Sequence, residues 1–216
     1  MPARAKRAAA APSSIYVLKV TLLHVEPVVW RRLKVPSQAT LGWVHAALQV
    51  AMGWTNSHLH SFFADGVVYS PPGDFEDFGD GPKDRNENTA VLAKVLPAPG
   101  AWLGYMYDMG DSWRHKVILE QILPAPPAGK PGARCVDGAG ACPPDDCGGA
   151  PGYMDLVKIL KNPKHKEHAS MRAWLGRPFD PAVFDMTRAN VWLARLPWPR
   201  VTVEQLAVLL SRRDGV

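Results

Sequence analysis

Apolar positions recur along this chain with two different periods, and the change from one to the other falls near Tyr153. Before it, alternation dominates. His115, Val117, Leu119, Gln121 and Leu123 interleave with Arg114, Lys116, Ile118 and Glu120. That is the period of a strand with one buried face, and it sets His115 on the apolar side. Residues 101–108 read as a partner strand, joined to it through Met109-Gly110-Asp111-Ser112-Trp113. Residues 15–26 and 28–35 are two further extended runs, read as adjacent strands broken at Pro27. Charge at Arg31, Arg32 and Lys34 gives the second run an exposed face or an edge position. Residues 58–65 and 67–69 form a hairpin about Asp65-Gly66.

One helix interrupts these strands. Leu41, Val44, Leu48, Ala51 and Met52 lie at helical spacing behind the capping Thr40, and Gly53 ends the run. Residues 89–96 are a short helical candidate. After Tyr153 the period is helical over 153–160, 166–175, 187–196 and 201–212, with Thr202 as a cap and Leu206, Leu209 and Leu210 as a buried stripe. The order predicts an α+β fold: a mainly antiparallel sheet with one inserted helix, then a C-terminal group of helices packed on it. The acidic segment 71–88 and the proline- and glycine-rich segment 124–152 read as loops. The acidic segment lacks the spacing of a calcium loop.

The domain reading is a disordered basic tail over 1–13, one domain over 14–200 and a C-terminal helix over 201–216. The chain has 216 residues and a net charge of +5, of which Arg4, Lys6 and Arg7 in the tail supply three. A body at +2 is not the footprint of a dedicated nucleic-acid binder. The tail allows weak, non-specific nucleic-acid contact, or is simply solvated. The eight tryptophans show no interleaving with basic residues along the sequence, so they read as packing anchors. No apolar run long enough to cross a membrane occurs, and no signal peptide is evident, so the expectation is a cytoplasmic protein.

Three groups of residues are candidates for chemistry. His58 and His60 stand two apart, so on a strand both imidazoles project together. They offer nitrogen ligands to one metal, with His115 or Asp111 completing the set. The alternative is a pair of hydrogen-bonded structural histidines. The knot Tyr107-Asp108-Met109-Gly110-Asp111-Ser112-Trp113-Arg114-His115 is the second. Its carboxylates can fix a turn by accepting backbone N–H bonds, with Trp113 in the core. Asp111 and His115 are the candidate catalytic pair if the knot works as acid and base. Tyr107, Asp108, Asp111, Trp113, His58 and His60 are the candidate binding residues. The third group, Cys135, Cys142 and Cys147, is spaced more widely than structural zinc sites usually are, so a zinc site there needs a distant fourth ligand. Packed or exposed free thiols are the alternative. Lys161, Lys164, His165, Lys166 and His168, with Arg172 following, form a basic patch that could meet phosphate or RNA, but Glu167 interrupts it and a solvated helix face is the preferred reading.

Several blocks in order carry a resemblance: Val29-Trp30-Arg31-Arg32 after Ile15-Tyr16-Val17-Leu18-Lys19-Val20, Met52-Gly53-Trp54 before His58-Leu59-His60-Ser61-Phe62, the knot, Cys135-Val136-Asp137-Gly138, and Ala141-Cys142-Pro143-Pro144-Asp145-Asp146-Cys147-Gly148-Gly149. Gly152-Tyr153, Phe179-Asp180-Pro181 and Phe184-Asp185 complete it. From about residue 14 to 196 the chain resembles the plasmid pRiA4b ORF-3-like family. The resemblance implies an α+β fold, a bacterial, archaeal or plasmid-borne setting and no established reaction. Some relatives carry a transposon-passenger label that suggests a resolvase. This chain shows neither a DNA-binding helix-turn-helix nor an arginine-supported serine site. The leading expectation is therefore a binding or interaction module. The alternatives are a metal-assisted hydrolase using His58, His60, Asp111 and His115, and a DNA-associated accessory of mobile elements.

Overall fold

The computed structural model describes residues 14–73, 84–126 and 131–214. Fourteen elements follow one another: β1 (Ser14–Leu22), β2 (Trp30–Pro36), α1 (Leu41–Met52), β3 (His60–Ala64), β4 (Val67–Ser70), β5 (Asp84–Asn86), α2 (Leu92–Val95), β6 (Trp102–Tyr107), β7 (Trp113–Pro124), β8 (Arg134–Ala139), α3 (Gly149–Lys161), α4 (His168–Leu175), α5 (Met186–Leu193) and α6 (Val203–Asp214). The eight strands make one sheet in the order β5-β4-β3-β6-β7-β1-β2-β8. Every neighbouring pair is antiparallel except β4 with β5. The α+β class with C-terminal helices is as the sequence predicts. The basic tail lies outside the described residues, as does most of the acidic segment.

The alternation in β7 places Val117 and Leu119 inward beside Leu18 and Val20 of β1, all four fully buried. α1 covers that inward face. Its cap is Thr40, whose Oγ1 accepts from Trp43 N at 3.3 Å, and it ends at Gly53 in the left-handed region (φ 112°). Every residue of α1 except Gly42 is buried. A helix apolar on all sides must be covered on all sides, and the C-terminal helices do this. Trp43 Nε1 donates to Pro197 O at 2.7 Å, and its ring meets Trp198 edge-on. From α6, Leu206 and Leu210 are buried, and Arg213 donates to Gly53 O and Trp54 O.

The sequence reading needs correction at three places. β2 lies between β1 and β8 rather than at an edge, and Arg31 points inward at 1% exposure. Its guanidinium donates to Ala51 O, Trp30 O and Ala139 O and stacks on Phe184 at 3.5 Å. A cation at the carbonyl end of α1 is favourably placed against the helix dipole, although burial lowers its pKa to about 10. The segment 124–152 contains β8, hidden from a pattern search by Gly138 and by the register shift opposite Arg32 and Leu33. The segment 71–88 contains β5, three residues long and charged. Among the described residues no helix is long and apolar enough to cross a membrane.

Candidate functional site

Three loops converge at one end of the sheet. The first, residues 54–58, leaves α1 and leads into β3. Trp54, 1% exposed, packs against Tyr107, Trp113 and, edge-on, His115. Its Nε1 donates to Pro143 O at 3.1 Å in the third loop. Asn56 is left-handed (φ 59°) and closes a ring of four hydrogen bonds. Asn56 N donates to Gln49 Oε1 (3.0 Å), and Gln49 Nε2 to Tyr105 Oη (3.0 Å). Tyr105 then donates to His45 Nδ1 (2.9 Å), and His45 Nε2–H to Asn56 Oδ1 (2.7 Å). This assignment uses the donor capacity of each group and requires a neutral His45. The ring ties α1, β6 and the loop carrying His58 into one unit, and such cycles polarise one another.

The second loop is the turn from β6 to β7. Asp108, 5% exposed, is left-handed (φ 61°). Its Oδ1 accepts from Gly110 N at 2.8 Å and Asp111 N at 3.2 Å, while its own N donates to Leu59 O. This is the side-chain turn that an aspartate supports, and it leaves Oδ2 facing His58. The third loop, residues 143–148, runs from β8 into α3. It docks on the second through Gly148 N, which donates to Asp111 Oδ2 at 3.2 Å. Gly149 is also left-handed (φ 66°), and a Cβ there would stand 2.6 Å from Asp111 O. Gly149→Ala is therefore expected to lose at least about 1 kcal/mol of stability in urea melts, by strain and by prising the two loops apart.

His58, Asp108 and Asp146 meet where these loops converge. His58 Nε2 is 3.4 Å from Asp146 Oδ1 and 3.7 Å from Asp108 Oδ2, and the three ligand atoms lie within 4.8 Å of one another. Asp146 is also left-handed (φ 59°), so both aspartates hold their carboxylates from constrained turns. Asp145 stands beside them. Its Oδ2 accepts from Thr55 Oγ1 at 2.7 Å, its Oδ1 is buried without a hydrogen bond, and burial raises its pKa.

The two histidines of the His-x-His pair part company. His58 precedes β3 and joins the two aspartates, whereas His60 sits within β3, 6% exposed. His60 Nε2 bonds Glu87 Oε2 at 2.9 Å, and its ring stacks on His45 at 3.4 Å between centroids. Desolvation by burial holds His60 and His45 at pKa values of about 3, the stacked His60 adding to the effect on His45. His115 Nδ1 donates to Tyr105 O at 3.3 Å, and burial lowers its pKa to about 4. Asp111 and His115 thus bond different partners, Gly148 N and Tyr105 O. Tyr107 accepts from Ser57 N, and Trp113 is core.

The three cysteines are unpaired. Cys135 Sγ donates to Asp137 O, and burial pushes all three thiols up, Cys147 to about 12. Among the described residues, the three-ligand group of metal-binding size is His58, Asp108 and Asp146, and the cysteines are outside it. Sequence reasoning missed Asp145 and Asp146 as site residues, along with His45, Gln49, Asn56 and Glu87. The available signal was the pair of aspartates between Pro143-Pro144 and Cys147-Gly148-Gly149, a turn composition that aims carboxylates outward.

Known proteins give this arrangement a family but no activity. The family model described as "Plasmid pRiA4b ORF-3-like protein" matches residues 14–188. The chain is 39% identical over 179 residues to the uncharacterized protein y4hQ of Sinorhizobium fredii (strain NBRC 101917 / NGR234), across 82% of this chain and 90% of that protein. It is similar to the crystal structure of a protein of unknown function, MM3350, from Methanosarcina mazei Go1, with a TM-score of 0.71 and 33% identity over 81% of this chain and 96% of that one. With such coverage in both sequence and structure, the chain belongs to the plasmid pRiA4b ORF-3-like family.

Proposed function

We propose that this protein is a binding module that holds a divalent cation between His58, Asp108 and Asp146. The observation that carries the reading is His58 Nε2. It is buried without a hydrogen bond, although two carboxylate oxygens face it at 3.4 and 3.7 Å. Those separations are too long for good N–H···O bonds. They suit an ion lying between the groups, since ligands about 2.1 Å from a tetrahedral metal stand roughly 3.4 Å apart. One imidazole and two carboxylates suit zinc or manganese. Three protein ligands leave coordination open to water or to a ligand's oxygen. Three unpaired cysteines fit a reducing compartment, which supports a cytoplasmic setting.

The test is elemental analysis and calorimetric titration of zinc and manganese into tag-free protein. About one ion per chain is expected, together with a higher melting temperature. His58→Ala and Asp108→Asn are expected to abolish both effects, whereas His60→Gln keeps metal binding. Metal-independent melting of the unaltered chain, with no ion bound, would overturn the reading. A second reading, metal-assisted hydrolysis, is favoured by Asp145, a carboxyl of raised pKa beside the cluster and thus a candidate proton carrier. Metal-dependent ester or phosphodiester cleavage that is lost in Asp145→Asn, with metal still bound, would establish it.

A further inference from the structure

The face of the sheet opposite α1 is a second, independent feature, and strand register builds it from residues scattered through the sequence. Across its centre, Trp30 of β2 pairs with Thr21 of β1, Thr21 with Lys116 of β7, Lys116 with Gly104 of β6, and Gly104 with Phe63 of β3. The adjacent row runs Arg32, Lys19, Ile118 and Trp102. Pairing partners share a face, so tryptophans far apart in the chain stand on one surface with cations between them. Lys19 and Arg32 lie over the Trp30 ring at 5.5 and 5.1 Å, and Lys116 lies over Trp102 at 5.2 Å. Trp102 is 58% exposed and Phe63 39%.

The charge on this face is lopsided. Arg32 is paired with Glu120 and Asp137, each at 2.7 Å. Lys19, Lys34, Arg114, Lys116 and Arg134 have no carboxylate within ion-pairing distance among the described residues. A recess of about 610 Å³ opens between Lys34, Arg32, Ile118 and Gln121. Trp30 and Trp102 stand three strands and two residues apart, about 16 Å, a span a short run of nucleotides can bridge.

We propose that this face binds single-stranded RNA. Bases would stack on Trp102, Trp30 and Phe63, and the phosphates would follow the cationic rows. The exposed rings of Trp102 and Phe63 and the half-buried ring of Trp30, interleaved with Lys19 and Lys116, complement a strand whose bases are splayed and whose backbone is anionic. Duplexes hide their base planes, whereas the loops, bulges and ends of RNA offer unstacked bases to aromatic side chains. The absence of aromatic–basic interleaving along the sequence is therefore misleading, because the interleaving runs across the strands.

The test is fluorescence anisotropy of a labelled single-stranded RNA decamer of mixed sequence with the full chain. Saturable binding that weakens as salt rises is expected. Trp102→Leu, which keeps apolar bulk but loses the ring, and the pair Lys19→Glu with Lys116→Glu are each expected to lower affinity at least about tenfold. Lys158→Glu, on the exposed side of α3, is expected to leave it unchanged. Circular dichroism melts establish that these variants fold. Four results would overturn the proposal: affinity unchanged in the face variants, affinity lost only when Arg4, Lys6 and Arg7 are replaced by serine, equal binding of the DNA decamer of the same sequence, or preferential capture by phosphatidylserine vesicles.

Discussion

Acidification is expected to unfold this protein steeply, beginning just below the ordinary histidine range. His45, His60 and His115 are buried and neutral, with folded-state pKa values of about 3, 3 and 4, chiefly because burial penalises the imidazolium. In the unfolded chain the same groups titrate near 6.5. Between those limits the unfolded state binds more protons, so stability is fully present above about pH 6.5 and declines as pH falls toward the folded pKa values. Each histidine contributes up to about 1.4 kcal/mol per pH unit, so three together approach about 4. Against a typical total of about 5–15 kcal/mol, that slope is large.

The physical cause is burial, to which the stacked His60 adds at His45. A protonated His45 cannot accept from Tyr105, and its charge would lie 3.4 Å from the stacked ring of His60. Urea melts from about pH 7 to pH 4.5 measure the slope. His45→Gln is expected to reduce it by about one third while lowering stability at neutral pH. A stability independent of pH over that range would show that the three imidazoles are not held neutral.

Much of the architecture is legible in the sequence because strong local signals coincide with the buried faces. Thr40 and Gly53 bound α1 as their capping chemistry dictates, and the alternation in β7 fixes which side of the sheet holds His115. Arg31 is misread because a charged residue on an alternating strand looks outward-facing. Its inward position depends on carbonyl acceptors at the end of α1 and at Ala139, from elements far away in sequence. The knot at 107–115 is legible as a turn because Gly110 follows Asp108 by two residues, the spacing of an aspartate side-chain turn. Its partners are not, since His58 and Asp146 arrive on loops whose approach is set by Trp54, Gly148 and the ring about Asn56. Periodicity also predicts two aligned histidines, but that inference requires both to lie within one strand, and β3 begins at His60.

Trp54→Ala is expected to be among the most damaging single substitutions in the chain. The side chain is buried at the junction of α1 with the first loop, and its ring meets Tyr107, Trp113 and His115. Removing it leaves a cavity among three rings that cannot all close upon it, at a cost of about 3–5 kcal/mol. Pro143 O also loses its indole donor, and the third loop its tie to the first. Trp54→Phe separates the two contributions, since it keeps most of the packing and loses only the N–H. It is expected to cost a smaller share, with about 1 kcal/mol coming from the hydrogen bond. Urea titration gives both stabilities, and calorimetry on the folded variants gives zinc or manganese affinity. Because Pro143 precedes Asp145 and Asp146, Trp54→Phe is expected to weaken metal binding more than its modest loss of stability accounts for. An unchanged metal affinity in that variant would mean that the contact between Gly148 and Asp111 holds the third loop in place without help from the tryptophan.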